Sequence, residues 1–259
     1  MKIKKFISDI IILTNRSISA SLRMPYVYIP NFIISIFFLF VYSAGLGSVT
    51  SLIDLQNVNY ISFILPISIV SSAIGAASGA VSSLVKDLES GYFERLILTP
   101  VSRAAIVLGP IINGMFHLTI QSLALLILSI FLGVNISGIS NFLLILILVM
   151  GLGLAFTGYA VTIALITRNS FAVQMSTTIF FPMIFLSTTF VPLNLIEAKW
   201  LRIAAILNPT TYIFESMRGL LIEGWNESFI LYGFQTVFFA SILTIILAII
   251  AANKIFNRE

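Results

Sequence analysis

The sequence has 259 residues, of which 59% are hydrophobic and 9% are charged. Because a soluble domain carries about 25% charged residues, a water-soluble globular protein is excluded. The formal net charge is +4, but most basic residues lie beside apolar blocks, where they orient helices in a lipid bilayer and do not indicate a nucleic-acid partner.

The first predicted element, residues 1–24, is an amphipathic interfacial helix that lies on the membrane surface. Its basic residues are Lys2, Lys4, Lys5, Arg16 and Arg23. The central apolar run, 10–13, is too short to cross a bilayer. A signal peptide is the alternative, since a basic start and an apolar stretch are present, but no small-residue cleavage site follows.

Six apolar blocks follow, each near the length of about 20 residues that a transmembrane helix needs. The predicted spans are 26–44, 61–84, 105–132, 142–166, 173–191 and 229–252. Of the 14 Lys and Arg residues, three fall on the face opposite to the termini: Lys199, Arg202 and Arg218. The positive-inside rule therefore places both termini in the cytoplasm. We expect one all-α transmembrane domain over residues 1–259.

The second span carries small residues at every fourth position: Ser71, Gly75, Gly79 and Ser83. Such a row lets another helix approach closely, because helices associate in lipid by packing. Two interpretations stay open. The row packs against another helix of the same chain, or it forms a contact between subunits or a moving seam.

The third span carries Asn113, His117 and Gln121 at successive four-residue steps, so all three lie on one helix face. Polar groups at this depth face protein or a wet cavity. They are either a structural cluster between helices or part of a substrate path. A metal site is not expected, since the sequence has no cysteine and no Asp or Glu lies near His117 to complete a coordination shell.

Apolar side chains of the fifth span, Phe180, Phe181 and Met183, are candidates for soft contact with a lipid-like cargo, although lipid-facing packing explains them equally well. The outer segment, 192–228, contains two short helical patterns broken at Asn208-Pro209. It is predicted to form a re-entrant helical hairpin in the outer leaflet. Glu215 and Arg218 lie three apart and are expected to pair, either at an outer gate or to hold the hairpin.

Three kinds of motif are missing from the sequence. No Asp, Glu, Lys or Arg lies well inside a predicted span, which disfavours a gradient-driven carrier. No G-x-x-x-x-G-K-[ST] loop is present, so ATP would have to be bound by another polypeptide. The sequence has no G-x-S-x-G motif, and His117 has no acidic partner near it in sequence, so no catalytic motif points to an enzyme. A membrane enzyme that acts on lipid stays an alternative.

Two segments resemble ABC-2 type transporter permeases. The cytoplasmic sequence LVKDLESGYFERLILTPVSRAAIVLGP, 84–110, resembles the loop that precedes the third span in that family. The outer sequence ILNPTTYIFESMRGLL, 206–221, resembles its Asn-Pro-aromatic-Arg signature. The nearest resemblance is to the drug- and nodulation-factor-exporter branch, of the daunorubicin-resistance type. Neither motif identifies a cargo.

The resemblance implies an export permease that works as a homodimer with two copies of a separate ABC ATPase, which bind ATP and Mg. It implies a bacterial or archaeal plasma membrane and an amphipathic or lipid-like cargo, carried in a cavity lined by the second and fifth spans. A polysaccharide or teichoic acid permease and a gradient-driven secondary transporter are the alternatives.

The resemblance also makes the cytoplasmic loop, 85–103, the ATPase-coupling site. A short helix around 92–98 is predicted to insert Tyr92, Phe93, Leu96 and Ile97 into a groove on the ATPase. Polar contacts at the rim are assigned to Asp87, Glu89, Glu94 and Arg95. Gly91 supplies an unusual backbone angle and Pro100 stops the helix, and Thr99 and Arg103 complete the motif. A solvated loop with incidental charges is the alternative.

Overall fold

The fold is given by a computed structural model, which describes residues 2–46, 60–99, 101–136, 138–222 and 228–256. Within these ranges the chain is helical and contains no β-strand, which confirms the predicted all-α class. The helices are α1 (Lys2–Leu22), α2 (Pro25–Leu46), α3 (Tyr60–Glu89), α4 (Tyr92–Ile97), α5 (Arg103–Phe131), α6 (Gly138–Thr167), α7 (Ser170–Thr178), α8 (Phe180–Phe185), α9 (Lys199–Leu207), α10 (Pro209–Leu221) and α11 (Ser228–Phe256). Pro100 and part of the predicted hairpin, 223–227, lie outside the described residues.

Five of the described helices, α2, α3, α5, α6 and α11, are long and apolar enough to cross a membrane. They correspond to five of the six predicted spans. The central helix is α3, which packs against α2, α5 and α6 and has 78% of its most apolar segment buried. In α2 the buried share of the most apolar segment is 17%, and in α11 it is 22%. These two helices therefore expose apolar faces of the kind that lipid or another subunit covers, and the chain is a multi-pass membrane protein.

The predicted fifth span, 173–191, is divided in the structure. It consists of α7 and α8, which are separated at Ile179, and the helix ends at Phe185. Pro182 weakens the junction, because it has no N–H to bond the carbonyl of Thr178, while the backbone of Ile179 stays in the α region with φ of −62°. The expectation of a helix that runs to residue 191 is wrong, since the helix ends at Phe185, and a sixth crossing stays a prediction.

The predicted break in the outer segment is the junction of α9 and α10. The side chain of Asn208 caps α10 by accepting a hydrogen bond from the backbone N–H of Thr210 at 3.0 Å. Pro209 occupies the first position of α10, where its missing N–H costs no helical hydrogen bond. Because α10 packs against α3 and α11, it belongs to the helical bundle. Its insertion into the outer leaflet stays a prediction.

The N-terminal helix α1 packs lengthwise along the first half of α5. A Cβ atom added to Gly109 of α5 would lie 3.2 Å from the backbone of Leu13, so the two helices are in close contact. On the other side of α1, Ile3, Ile7 and Ile11 are more than half exposed. An exposed apolar face of this kind is typical of a helix at the membrane interface.

The row of small residues on α3 faces α2. A Cβ atom on Gly75 would lie 2.3 Å from Cβ of Asn31, and one on Gly79 would lie 2.6 Å from the ring of Tyr28. Closer to the beginning of α3, Ser72 donates a hydrogen bond to Ser35 at 2.7 Å. These contacts favour the first interpretation, packing within one chain.

Candidate coupling and transport sites

The connection between α3 and α5, which is predicted to be cytoplasmic, is shaped by the end of α3 and by α4. Helix α3 continues to Glu89, and Gly91 then adopts a left-handed conformation with φ of 68°, which glycine allows at little cost. This turn starts α4 at Tyr92. The connection is thus a helical corner and not a flexible loop.

Phe93 fixes α4 to the bundle. Its side chain is 1% exposed and belongs to the hydrophobic core, against which Leu96 is also packed. The predicted insertion of Phe93 into an ATPase therefore does not fit this structure, because the ring is already buried in its own chain. The apolar surface available to a partner comes from Tyr92, 37% exposed, and Leu98, 87% exposed.

The other predicted coupling residues surround α4 with polar groups. Four of them have exposed side chains: Glu89, Arg95, Thr99 and Arg103. The hydroxyl of Thr99 donates a hydrogen bond to the carbonyl of Leu96 at 2.6 Å. Asp87 is half-buried. The side chains of Glu94 and Ile97 lie outside the described part of the chain.

Arg16 connects α1 to this corner, a role that the sequence did not indicate. Its two terminal nitrogens donate to the two carboxylate oxygens of Asp87, each at 2.8 Å. Its guanidinium carbon lies 4.1 Å from the ring centroid of Tyr92, a cation–π geometry. The hydrogen bonds that Arg16 donates to the Asp87 carboxylate raise the pKa of Arg16 above its ordinary value. A basic residue on an amphipathic helix has many possible partners, so only the tertiary structure reveals this one.

The polar row of α5 contacts α1 and α2 through Asn113 and His117. Asn113, His117 and Gln121 are all buried. The hydroxyl of Ser21 is 3.0 Å from Oδ1 of Asn113 and 2.7 Å from Nε2 of His117, and the ring of Tyr28 stacks on His117 at 3.8 Å. This placement favours a structural cluster between helices. The described residues contain no group of three potential metal ligands.

The aromatic residues of the divided fifth segment point in two directions. Phe180 packs on Phe156 and Tyr159, with centroid distances of 4.9 and 5.1 Å. With Met183, Phe180 lines an apolar cavity of about 130 Å³ between α6, α8, α10 and α11. Phe181 lies on the exposed side. An exposed apolar face thus runs along α7 and α8, formed by Phe171, Met175, Ile179, Phe181, Phe185 and Leu186.

On the opposite side of the bundle, Arg218 of α10 is fully buried. It donates to Oε1 of Glu215 at 2.8 Å, to the carbonyl of Thr188 at 2.7 Å and to that of Thr189 at 2.8 Å. Its Nε also donates to the carbonyl of Phe63 in α3 at 3.1 Å. The guanidinium thus joins α10 to α3 and satisfies carbonyls of the non-helical backbone that follows α8.

Asn208 holds the same stretch of backbone. Its Nδ2 donates to the carbonyls of Met183 at 2.6 Å and Leu186 at 3.2 Å, while its Oδ1 caps α10. The predicted hairpin residues Asn208, Glu215 and Arg218 therefore lie around the end of α8. The arrangement favours the holding role over a gate.

These features define a class of protein, a multi-pass helical membrane protein. At one end of its bundle lies the short helix α4, which is anchored by Phe93, and at the other end lie α9 and α10, of which α10 is capped by Asn208. The model of the ABC-2 type transporter family matches residues 8–222. The chain belongs to this family of membrane permease subunits, which are not themselves ATPases and work with a separate ABC ATPase.

Curated relatives agree with this assignment. The chain is 26% identical to "Putative transport permease ycf38" from Cyanophora paradoxa over 223 residues, which are 83% of this chain and 74% of that protein. It is 24% identical to "Probable doxorubicin resistance ABC transporter permease protein DrrC" from Mycobacterium tuberculosis (strain ATCC 25618 / H37Rv) over 220 residues, which are 85% of this chain and 79% of that protein. The chain is thus the membrane subunit of an ABC exporter.

Proposed function

We propose that this permease exports an amphipathic or lipid-like cargo and is driven by a separate ABC ATPase that binds at α4. The complex is a homodimer of the permease with two ATPase subunits, which bind ATP and Mg. The observation that carries the proposal is the corner at α4, where Phe93 is 1% exposed while Leu98 is 87% exposed. One side of the corner is thus anchored in the permease and the other is free for a partner.

The anchoring supports a lever role for α4. A displacement of α4 reaches the core through Phe93 and reaches α1 through Arg16, which binds Asp87 and covers Tyr92. Close-packed interiors transmit such displacements because they are nearly incompressible. ATP-driven closure of two ATPases would therefore shift α1, α3 and α5 together.

The cargo class is supported by the apolar character of the spans. The exposed face of α7 and α8 is available to a second copy of the chain or to cargo. The expectation that the second span lines the cavity fits less well, because α3 is largely buried within its own chain. The relative from Mycobacterium tuberculosis has doxorubicin resistance in its name, which favours a drug-like cargo over a polysaccharide.

The distribution of basic residues supports an orientation with both termini and α4 in the cytoplasm of a bacterium or archaeon. In this orientation α9 and α10 lie at the outer face. Cargo enters from the cytoplasm or the inner leaflet and leaves on the side of α10.

The experiment is co-purification of the permease with its proposed partner, an ABC ATPase subunit. Arg95→Glu reverses an exposed charge on α4, and we expect ATPase retention and ATP-dependent transport to fall at least tenfold. Arg202→Glu, an exposed residue of α9, is the matched control and should change neither. Equal retention in both variants contradicts the assignment of α4. Cargo flux by the permease alone, set by an ion gradient, would support the secondary-transporter alternative.

A further inference from the structure

A cavity of about 170 Å³ lies beside the corner, between α1, α3, α4 and α5. Its apolar lining residues include Leu13, Phe93 and Ile106. Its charged lining residues are Arg16, Lys86 and Asp87. A cavity whose lining combines apolar and charged side chains suits an amphipathic ligand.

Ser17 of α1 contributes an unpaired hydroxyl to the same cavity. The residue is 7% exposed and lines the cavity. Its Oγ has no hydrogen-bond partner among the described residues. Since buried polar groups are almost always hydrogen-bonded, this hydroxyl is available to a polar group in the cavity.

The charges of the cavity favour an anion. Asp87 is neutralised by Arg16, which binds both of its carboxylate oxygens. Lys86 is exposed, forms no ion pair with a described residue and donates to the sulfur of Met24 at 3.5 Å. One positive charge is therefore left over among the lining residues. A phosphate group accepts hydrogen bonds from an ammonium and a hydroxyl and matches this charge.

We propose that the cavity binds the headgroup of an anionic phospholipid, with its phosphate at Lys86 and Ser17 and the first part of its acyl chains against the apolar lining residues. The assignment to the cytoplasmic leaflet rests on the orientation given under the proposed function. A bound lipid would pack between α1 and α4, so membrane composition would affect the contact on which coupling depends.

Native mass spectrometry of the purified full-length permease in detergent tests this site. The probes are phosphatidylglycerol and phosphatidylcholine with identical acyl chains. We expect phosphatidylglycerol to bind more tightly, and Lys86→Gln to weaken it about tenfold through loss of a charge-assisted hydrogen bond. Lys199→Gln removes the same charge from exposed α9 and should leave binding unchanged.

A second variant, Ala20→Leu, fills the cavity without changing a charge, since Ala20 lines it. It should also reduce phosphatidylglycerol binding, while an unchanged unfolding temperature shows that the fold is retained. Equal binding of both lipids, or equal effects of Lys86→Gln and Lys199→Gln, overturns the proposal. Displacement of the lipid by inorganic phosphate also overturns it, in favour of a free-phosphate site. Co-purification of the ATPase is measured in a separate experiment. A failure of the lipid-binding test can therefore be distinguished from a failure of the proposed coupling to an ATPase.

Discussion

At the residue scale, two arginines have opposite environments. Arg218 is fully buried, and its pairing with Glu215 is supplemented by backbone carbonyls and by the ring of Phe63, 3.5 Å from its guanidinium carbon. Arg16 is partly exposed, as is its partner Asp87. Because a buried charge without a partner is costly whereas a surface ion pair contributes little, the first arginine is expected to determine stability. The second is expected to determine coupling.

Arg218→Met should lower the free energy of unfolding by about 3–5 kcal/mol, because it removes the buried guanidinium that pairs with the Glu215 carboxylate and bonds the carbonyls of Thr188 and Thr189. The double variant Arg218→Met, Glu215→Met also removes the remaining buried charge and should recover part of the loss. Unfolding in detergent, followed by circular dichroism, gives both values. A single variant as stable as the unmodified protein contradicts the anchoring role.

Arg16→Ala should reduce ATP-dependent transport several-fold while lowering stability by about 1 kcal/mol or less, since the pair with Asp87 is exposed to solvent. Transport into vesicles by the permease–ATPase complex is the measurement. Arg23→Ala, which removes an exposed arginine just after α1, is the control. If the two variants transport equally well, Arg16 does not couple α1 to α4.

At the element scale, close contacts between backbones determine how the spans pack. Gly75 and Gly79 admit Asn31 and Tyr28 of α2, and Gly151 and Gly158 of α6 admit Val237 and Thr244 of α11 in the same way. Helix association in lipid depends on such contacts, because lipid tails are as apolar as the side chains that they replace. The glycines therefore specify which helices are neighbours.

Gly75→Ala should destabilise the permease by about 1–3 kcal/mol, as overpacking does in a well-packed core. The added Cβ would lie 2.3 Å from Cβ of Asn31, so α2 must move. Gly45→Ala is the control, because no atom lies within 4 Å of a Cβ at that position. The measurement is the shift in unfolding temperature. Equal shifts for the two variants would mean that the α2–α3 contact does not limit stability.

At the scale of the whole molecule, the helical bundle separates the two candidate sites. The anchored corner at α4 lies at one end of the long helices, and the backbone held by Asn208 and Arg218 lies near the other. The central helix α3 reaches both, since Asp87 lies near its end and Phe63 near its beginning. A force applied at the corner therefore has a direct route along α3 to the opposite face.

The proposed orientation predicts labelling from opposite sides of the membrane. The chain has no cysteine, so Ser90→Cys and Lys199→Cys each introduce one reactive thiol at an exposed position. In intact cells, a membrane-impermeant maleimide should label the second variant and not the first, and permeabilisation should expose the first. The reverse pattern contradicts cytoplasmic placement of α4.

The sequence alone determined the membrane class, five of the spans, the short helix after Gly91 and the break at Asn208-Pro209. Each depends on a local property: apolar length, a backbone conformation that favours glycine, or a proline at the start of a helix. The family followed from two local motifs for the same reason. The early end of the fifth helix, at Phe185, was not predicted, because residues 173–191 are apolar on average and apolar length alone does not show where a helix ends.

Only the tertiary structure decided which partners these residues have. It buried Phe93 within its own chain, joined Arg16 to Asp87 across 71 positions, and brought Arg218 to the carbonyls of Thr188 and Thr189. It also placed Ser21 between Asn113 and His117. The physical reason is that burial and hydrogen bonding depend on distances in space between distant segments, whereas helical length and capping depend on neighbours in the chain.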